Sequence, residues 1–416
     1  MNEMNARTDM LAKLRNRRPD HTLAREFYAD PEYYRLDLEH IFYREWLFAG
    51  HDCELANPGD YLTLQVGEYP VLVVRSDDGR IRAFHNTCRH RGSRICAAGH
   101  GNAAKLTCPY HRWTYDLDGK LFYARDMGET FDPAQHGLKP VHCESVAGYV
   151  WICLAPHAPD IAPFRAQAEP YMAPHRLAEA KVAFESSIVE HGNWKLVWEN
   201  NRECYHCKGS HPELCRSFPD APTVVGVEGS VADPLVRAHW DRCESAGLPS
   251  AFRIDPLGQF RSVRVPLFRD AVSYTMSGQA AVQRRLSDGV TSERIGALLL
   301  FHFPTTWNHM LRDHAVSFRV LPLGPTETQV TTKWLVHKDA VEGTDYTVEE
   351  LTRVWLATND QDRRIVEENQ RGVNSPAFDG GPYSPVHETG VAQFVDWYCG
   401  AMERSLGDTQ RLSRVA

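Results

Sequence analysis

The sequence predicts an α+β fold in two domains, and three observations carry that prediction. At 416 residues the chain is long enough to bury two cores. From Gly59 onward, short β-rich runs (YLTLQV, PVLVVRS, IRAFHN) alternate with turn residues such as Asp77-Asp78-Gly79 and Asp118-Gly119. After about Pro156 the pattern becomes mixed, and late strands lead into a long amphipathic helix, TVEELTRVWLATNDQDRRIVEENQRG. The expected division is a helical segment over residues 1–45, an all-β domain over 46–156 and a mixed domain over 157–416. The first segment is expected to pack on the last domain.

Composition narrows the class. Hydrophobic residues at 43% and charged residues at 24% are the proportions of an ordinary soluble globular protein, which sets aside disordered classes. A net charge of -8 argues against a nucleic-acid partner. No run of about 18 apolar residues occurs, so no membrane span is expected. The opening MNEMNARTDMLAKLRNRRPD is basic but lacks the apolar core of a signal peptide. Eleven scattered cysteines read as free or metal-bound thiols in a reducing compartment, and a cytoplasmic location is expected. Neither a GxGxxG fingerprint nor a P-loop is present, so any redox work would draw on a nicotinamide or flavin held by another polypeptide.

Taken in order, the residues to about Trp46 read as helical and end in the amphipathic YYRLDLEHIFYREW. The β domain contains AFHNTCRHRGSRICAAGHGNAAKLTCPYHRWTYDLDG. Here Cys88-x-His90 is followed, after seventeen residues, by Cys108-x-x-His111. Each pair can form a loop tip, with two thiolates holding one iron and two imidazoles the other, the Rieske [2Fe–2S] arrangement. Gly92 and Pro109 suit tight loops beside these residues. A Cys2His2 zinc site is the alternative. Zinc fingers, however, pair CxxC with a helical HxxxH, whereas here Cys and His alternate within loops. Cys96, Cys143 and Cys153 read as small hydrophobes, and His85 and His100 as structural.

In the mixed domain, the strand KVAFESSIVEH precedes GNWKLVWENNRECYHCKGSHPEL, Gly192 to Leu214. This stretch reads as a helix that carries Glu203 and His206 on one face. His211 can join His206 at one metal only if that helix loosens or ends near Gly209, and Pro212 favours an ending. Two histidines and a distant carboxylate leave coordination positions open, as a non-haem iron oxygenase needs; two ordinary histidines near a helix end are the alternative. The polar region from Phe218 to Gly258 is expected to hold a lid. Strands are expected at VRVPLF, AVSYTM, RIGALLLFHFP, HAVSFRVLPL and TQVTTKWLVH. On the long helix, Thr347 and Glu350 form a capping box, and Gly372 marks a stop. Asp362 shares the buried stripe of Leu351, Trp355, Thr358 and Val366, while Asp360 points the opposite way. An aspartate on an apolar face must be paired or metal-bound.

Cys88 to His111, NWKLVWENN…ECYHC…HPEL and the long helix together resemble the Rieske non-haem iron oxygenases, specifically their terminal oxygenase α subunits. The wording ENNRECYHC, with Glu203 where most relatives carry Asp, is similar to the branch acting on quaternary ammonium compounds. VTTKWLVHKDAVEGTDY and NQRGVNSPAFDGGPYSPVHETGVAQFVDWY strengthen that placement. The resemblance implies an N-terminal all-β Rieske [2Fe–2S] domain and a C-terminal helix-grip catalytic domain, a curved antiparallel sheet gripping a long helix. It implies Cys88, His90, Cys108 and His111 at the cluster, and His206, His211 and Asp362 at a mononuclear Fe(II). It gives Glu203 the role of bridge between centres on adjacent subunits of a homotrimer, so that its removal should leave both metals bound while slowing electron transfer.

The implied partners are O2, a separate NAD(P)H-dependent flavin/iron–sulfur reductase and a small quaternary-ammonium substrate. The expected reaction is oxidative N-demethylation of stachydrine to N-methylproline and formaldehyde; the alternative is glycine betaine to dimethylglycine. An arene dioxygenase and a non-catalytic Rieske electron carrier are more distant readings. A quaternary ammonium has no N–H, so aromatic faces are its expected recognition surface. LLLFHFPTTWNHMLRDH supplies Phe301, Phe303, Trp307 and His309 as candidates. Asn200 is a candidate beside the iron helix, and the donor for a betaine carboxylate is not identified.

Overall fold

The computed structural model describes residues 3–219, 234–287 and 292–413. They form two compact units, one of Phe42–Ile161 and one of Met1–Ile41 with Ala162–Ala416. The second unit is therefore discontinuous, with the first spliced into it.

Helices α1 (Glu3–Arg15), α2 (Glu26–Ala29) and α3 (Pro31–Asp37) open the discontinuous unit. Asp30 caps α3 by accepting from the Glu32 N–H, with Pro31 at the first helical position. Asp37 is fully buried, where it meets Lys195, the Trp194 indole N–H (2.9 Å) and the Tyr398 hydroxyl (2.7 Å). That network ties three distant parts of the chain together.

The continuous unit is all β. Its strands are β1 (Leu47–His51), β2 (Asp60–Val66), β3 (Tyr69–Arg75), β4 (Ile81–His85), β5 (His100–Asn102), β6 (Leu106–Thr107), β7 (Thr114–Tyr115), β8 (Leu121–Tyr123), β9 (Pro140–Val146) and β10 (Tyr149–Cys153). Among the described residues they make a sheet in the order β1-β10-β9-β4-β3-β2-β5 and a small sheet β6-β7-β8. Phe84, Trp113, Tyr115, Leu106 and Leu138 pack beside Cys88 and Cys108 in one core.

The remaining elements complete the discontinuous unit: α4 (Ala162–Met172), β11 (Ala180–Glu190), α5 (Trp194–Asn201), α6 (Cys207–Ser210), α7 (Pro234–Ser245), β12 (Arg253–Ile254), β13 (Phe260–Val265), β14 (Ala297–His302), β15 (Thr306–Met310), β16 (Ala315–Gly324), β17 (Glu327–His337), α8 (Val348–Val373) and α9 (Thr389–Ser413). Their sheet runs β11-β17-β16-β15-β14-β13-β12 and every pair is antiparallel. Helix α8 lies on one face of it. Trp355 packs on His309 of β15 (4.6 Å) and Phe318 of β16 (5.0 Å), and Asn359 donates to Thr332 of β17 (2.9 Å). This is the helix-grip arrangement. A Cβ at Gly192 would sit 2.5 Å from Val366, so the entry to α5 approaches α8 as only glycine allows.

Several expectations need correcting. AVSYTM forms no strand, because Asp313 pins that region as a loop through Ser273 (3.0 Å) and the Ala281 N–H (2.8 Å). β15, by contrast, is a strand although Asn308 and His309 are poor strand formers. Thr347 does cap α8, but the helix runs through Gly372 to Val373. The long helix is followed by another, α9. Of the expected lid, residues 220–233 lie outside the described residues, and α7 accounts for part of the rest. Among the described residues no helix is long and apolar enough to cross a membrane.

Candidate functional site

In the β unit, two loops of like construction present the Cys/His pairs. In the first, the Cys88 N–H donates to Ser93 (2.9 Å) and the Gly92 N–H to the Cys88 carbonyl (3.0 Å). In the second, the Cys108 N–H donates to Trp113 (2.8 Å) and the Arg112 N–H to the Cys108 carbonyl (3.1 Å). The residue four after each cysteine has positive φ, +79° at Gly92 and +61° at Arg112. Glycine adopts this freely; an arginine there is strained, which marks a loop held by its surroundings.

Both cysteines are buried, while His90 and His111 are exposed, their rings 4.7 Å apart. Trp113 stacks on His90 at 4.9 Å. The Arg89 N–H occupies the Tyr115 oxygen (3.0 Å), so the phenol proton is directed at Cys88 Sγ, 3.3 Å away. Two buried sulfurs and two surface imidazoles fit a Rieske cluster, with the sulfur-held iron inside and the histidine-held iron at the surface.

The second site is built where α5 ends. The expected helix through Glu203 and His206 does not form: α5 stops at Asn201, and Glu203 lies in the turn before α6. The carboxylate folds back on that turn, accepting from the Tyr205 and His206 N–H groups. Its Oε1 accepts from His206 Nδ1 at 2.5 Å. Helix α6 ends at Ser210, and His211 leaves helical geometry at φ -123°, ψ 69°. This turns its ring toward His206.

The hydrogen bonds determine which ring nitrogens carry protons. Glu203 can only accept, so His206 Nδ1 bears a proton and, in the neutral ring, Nε2 a lone pair. Glu213 can only accept from Gln361 Nε2 (2.8 Å), which aims Gln361 Oε1 at His211 Nδ1 (2.9 Å). His211 Nε2 is thus a lone pair too. These two nitrogens lie 3.0 Å apart, and Asp362 Oδ1 lies 3.0 Å from His211 Nε2 and 3.4 Å from His206 Nε2. With both rings in these neutral tautomers, an ion at the centre would meet three lone pairs. Edges near 3 Å are what three facial ligands about 2.1 Å from one ion span.

Electrostatics points the same way. Burial works against charge on His206, yet Asp362 and Glu203 hold it up at about 10, so without an ion a proton on Nε2 takes the central place that a metal would fill. Burial also opposes the Asp362 carboxylate, but the two histidines draw it down to about 2. The cluster calls for positive charge at its centre. Cys207 lies close enough to be a rival third ligand. Its hydrogen bond with Cys204 and its burial push the thiol pKa up. Asp360 faces outward to Arg363 and Arg364.

Asn200 donates to Asp362 (2.7 Å), so its amide serves the carboxylate. The cavity over the triad has a volume of about 100 Å³ and is lined by Trp307, His309, Trp355, Phe218, Phe301, Arg202 and Arg261. Trp307 stacks on Phe318 at 5.1 Å. Burial holds the His309 imidazole neutral, down at about 3, and Tyr274 hydrogen-bonds it at 3.1 Å. Phe301 is engaged by the chain itself: Arg202 and Arg261 lie 4.1 and 4.9 Å from its ring, and Phe303 stacks on it at 4.5 Å. Phe303 is fully buried in the Trp198–Phe394 core. Gln361 and the two arginines were not picked out from sequence. The available signal was Arg261 in the otherwise apolar register of FRSVRV, every residue of which is buried.

Residues 177–404 match the family described as ring hydroxylating alpha subunit (catalytic domain), and residues 45–139 match the Rieske [2Fe–2S] domain. The chain is 50% identical over 394 residues to a glycine betaine monooxygenase oxygenase subunit of Chromohalobacter salexigens, covering 94% of this chain and 87% of that one. It is 47% identical over 397 residues to a protein of the same name from Pseudomonas aeruginosa, covering 95% and 92%. The crystal structure of the quaternary ammonium Rieske monooxygenase CntA with L-carnitine shares the fold, with a TM-score of 0.70 at 22% identity, over 94% of this chain and 98% of that one.

Proposed function

The chain belongs to the Rieske oxygenase α-subunit family, and from that premise we propose that it is the oxygenase component of a glycine betaine monooxygenase. Family membership brings a Rieske [2Fe–2S] cluster and a mononuclear iron. We assign the cluster to Cys88, His90, Cys108 and His111, and the iron to His206, His211 and Asp362. The preference for stachydrine read from sequence gives way here, because relatives at 50% and 47% identity are both named for glycine betaine.

The observation that carries the reading is one cavity joining the three convergent lone pairs to an aromatic wall. Trp307 and Trp355 line it as aromatic partners for a trimethylammonium group, and neutral His309 adds no opposing charge.

Iron held by His206, His211 and Asp362 would supply O2 activation, and a cluster held by Cys88, His90, Cys108 and His111 would pass on electrons delivered by a separate reductase. The residues of the chain do the positioning. Gln361 and Glu203 fix the histidine tautomers, Asn200 orients Asp362, and the tryptophans hold an N-methyl group toward the triad. Hydroxylation of that methyl gives a carbinolamine, which collapses to dimethylglycine and formaldehyde; O2, two electrons and two protons are consumed and one water is released. In the proposed trimer, exposed His111 of one subunit meets Glu203 of its neighbour. Because Glu203 also holds His206, Glu203→Gln, which keeps an acceptor, tests the bridge better than alanine. It should retain the mononuclear iron and slow cluster-to-iron electron transfer.

The test is formaldehyde release with a competent reductase, comparing glycine betaine and stachydrine, beside iron analysis. Three irons per chain and a higher kcat/KM for glycine betaine are expected. Turnover of stachydrine alone would overturn the substrate assignment, and two irons per chain would overturn the oxygenase reading.

A further inference from the structure

A zwitterionic substrate has a second end, and two cations in the cavity lack counter-ions. Arg202 follows α5 and Arg261 lies on β13, yet both guanidinium groups rest on the ring of Phe301. Arg261 is only 5% exposed. Among the described residues, neither guanidinium has a carboxylate partner or a side-chain hydrogen bond, and the Nε of each is buried without an acceptor. Burial disfavours the charge on both, and they repel each other. A buried charge left unpaired is costly, so such a pair persists where something else supplies the anion. The acid whose charge bears on both is the Cys204 thiol, a single group facing two cations.

Position supports the same conclusion. Arg261 pairs across the sheet with Phe301, and Phe301 with Trp307. The cation and the tryptophan are therefore two strands apart on one face, about 10 Å at the usual strand spacing. Gly390 of α9 closes on Arg202: a Cβ there would meet the Arg202 carbonyl at 2.3 Å and its guanidinium at 3.2 Å. The side chain is thereby held against the cavity wall.

Resting on the quaternary-ammonium reading above, we propose that Arg202 and Arg261 together bind the carboxylate of the substrate, leaving its trimethylammonium end at Trp307 beside the triad. Two guanidinium groups supply the planar donors a carboxylate accepts. The cavity thus selects betaines over quaternary ammonium alcohols and neutral analogues.

Calorimetric titration of the holoenzyme with glycine betaine, its neutral amide and choline tests this. The wild type should bind glycine betaine about 100-fold more tightly than the amide, and Arg261→Gln should collapse that ratio to within about 5-fold. Arg202→Gln should reduce it independently, and Arg261→Lys should restore part of it. Cys204→Ser should leave it unchanged; a marked rise there would assign the anion's place to the thiolate and overturn the proposal. A wild type that binds both compounds equally, or arginine variants that keep the full ratio while retaining the wild-type melting temperature, would also overturn it. A wild type that binds no quaternary ammonium compound at all refutes the functional reading, and this inference with it.

Discussion

Gln361→Leu should weaken the mononuclear iron site without touching the cluster. In the native chain, Glu213 orients Gln361 and Gln361 accepts the His211 Nδ1 proton at 2.9 Å, which leaves Nε2 free. His211 is 1% exposed, so water cannot replace the lost acceptor. In the variant, His211 has two courses. It can keep its Nδ1 proton unpaired in the interior, at a cost of about 1–3 kcal/mol. Or it can move the proton to Nε2, where Asp362 accepts it, and the metal must then displace it. Either cost falls on the metal-bound state. Iron affinity should drop about 10–100-fold, the range seen when a partner behind a ligating histidine is lost. Chelator competition on the purified holoenzyme measures it, with the visible absorption of the cluster as internal reference. Affinity within twofold of wild type would refute the tautomer relay from Glu213 to His211.

Trp307→Ala should weaken glycine betaine binding about 30-fold, the size of a desolvated cation–π contact, while both iron centres stay loaded; unchanged affinity removes Trp307 from the recognition surface. Asp37→Ala leaves Lys195 charged in the interior without its partner and should cost about 3–5 kcal/mol in urea unfolding, whereas a loss below 1 kcal/mol would mean the network is dispensable. Burial raises the Glu199 carboxyl to about 7, with Tyr28 and Tyr383 pulling the other way. The folded state then binds the extra proton between about pH 4.5 and 7, so this group's contribution is full below that window and is lost as pH rises through it. Glu199→Gln should flatten the stability difference between pH 5 and pH 8 by about 3 kcal/mol, and an unchanged slope would contradict the assignment.

How far the sequence disclosed this molecule depended on the range of the interaction. The Cys88–His90 and Cys108–His111 loops are local, each closed by hydrogen bonds within five residues, so spacing alone revealed them. Asp362 was separable from Asp360 because helical period separates inward from outward faces. The end of α6 before His211 followed from Gly209 and Pro212. What escaped depended on tertiary placement. Gln361 adjoins a residue that was singled out, but its value comes from Glu213, 148 positions away. Arg202 and Arg261 meet only because β13 and β14 set Phe301 between them. Phe301 itself looked like a face for the substrate, yet the chain's own guanidinium groups occupy it. α9 was not picked out as a helix, although its buried residues Val391, Phe394, Trp397 and Tyr398 recur at helical spacing.

The splicing of one unit into the other has a consequence for synthesis on the ribosome. Helix α1 packs against α9, which begins at Thr389, and Asp37 waits for Lys195 and Tyr398. At about 5–20 residues per second, roughly 20–70 s pass between emergence of the first segment and its last partner. Through that interval the nascent N-terminal helices carry apolar surface and an uncompensated aspartate with nowhere to dock, while the β unit has every strand it needs. The N-terminal helices are thus where chaperones that meet the nascent chain have the longest opportunity to engage it.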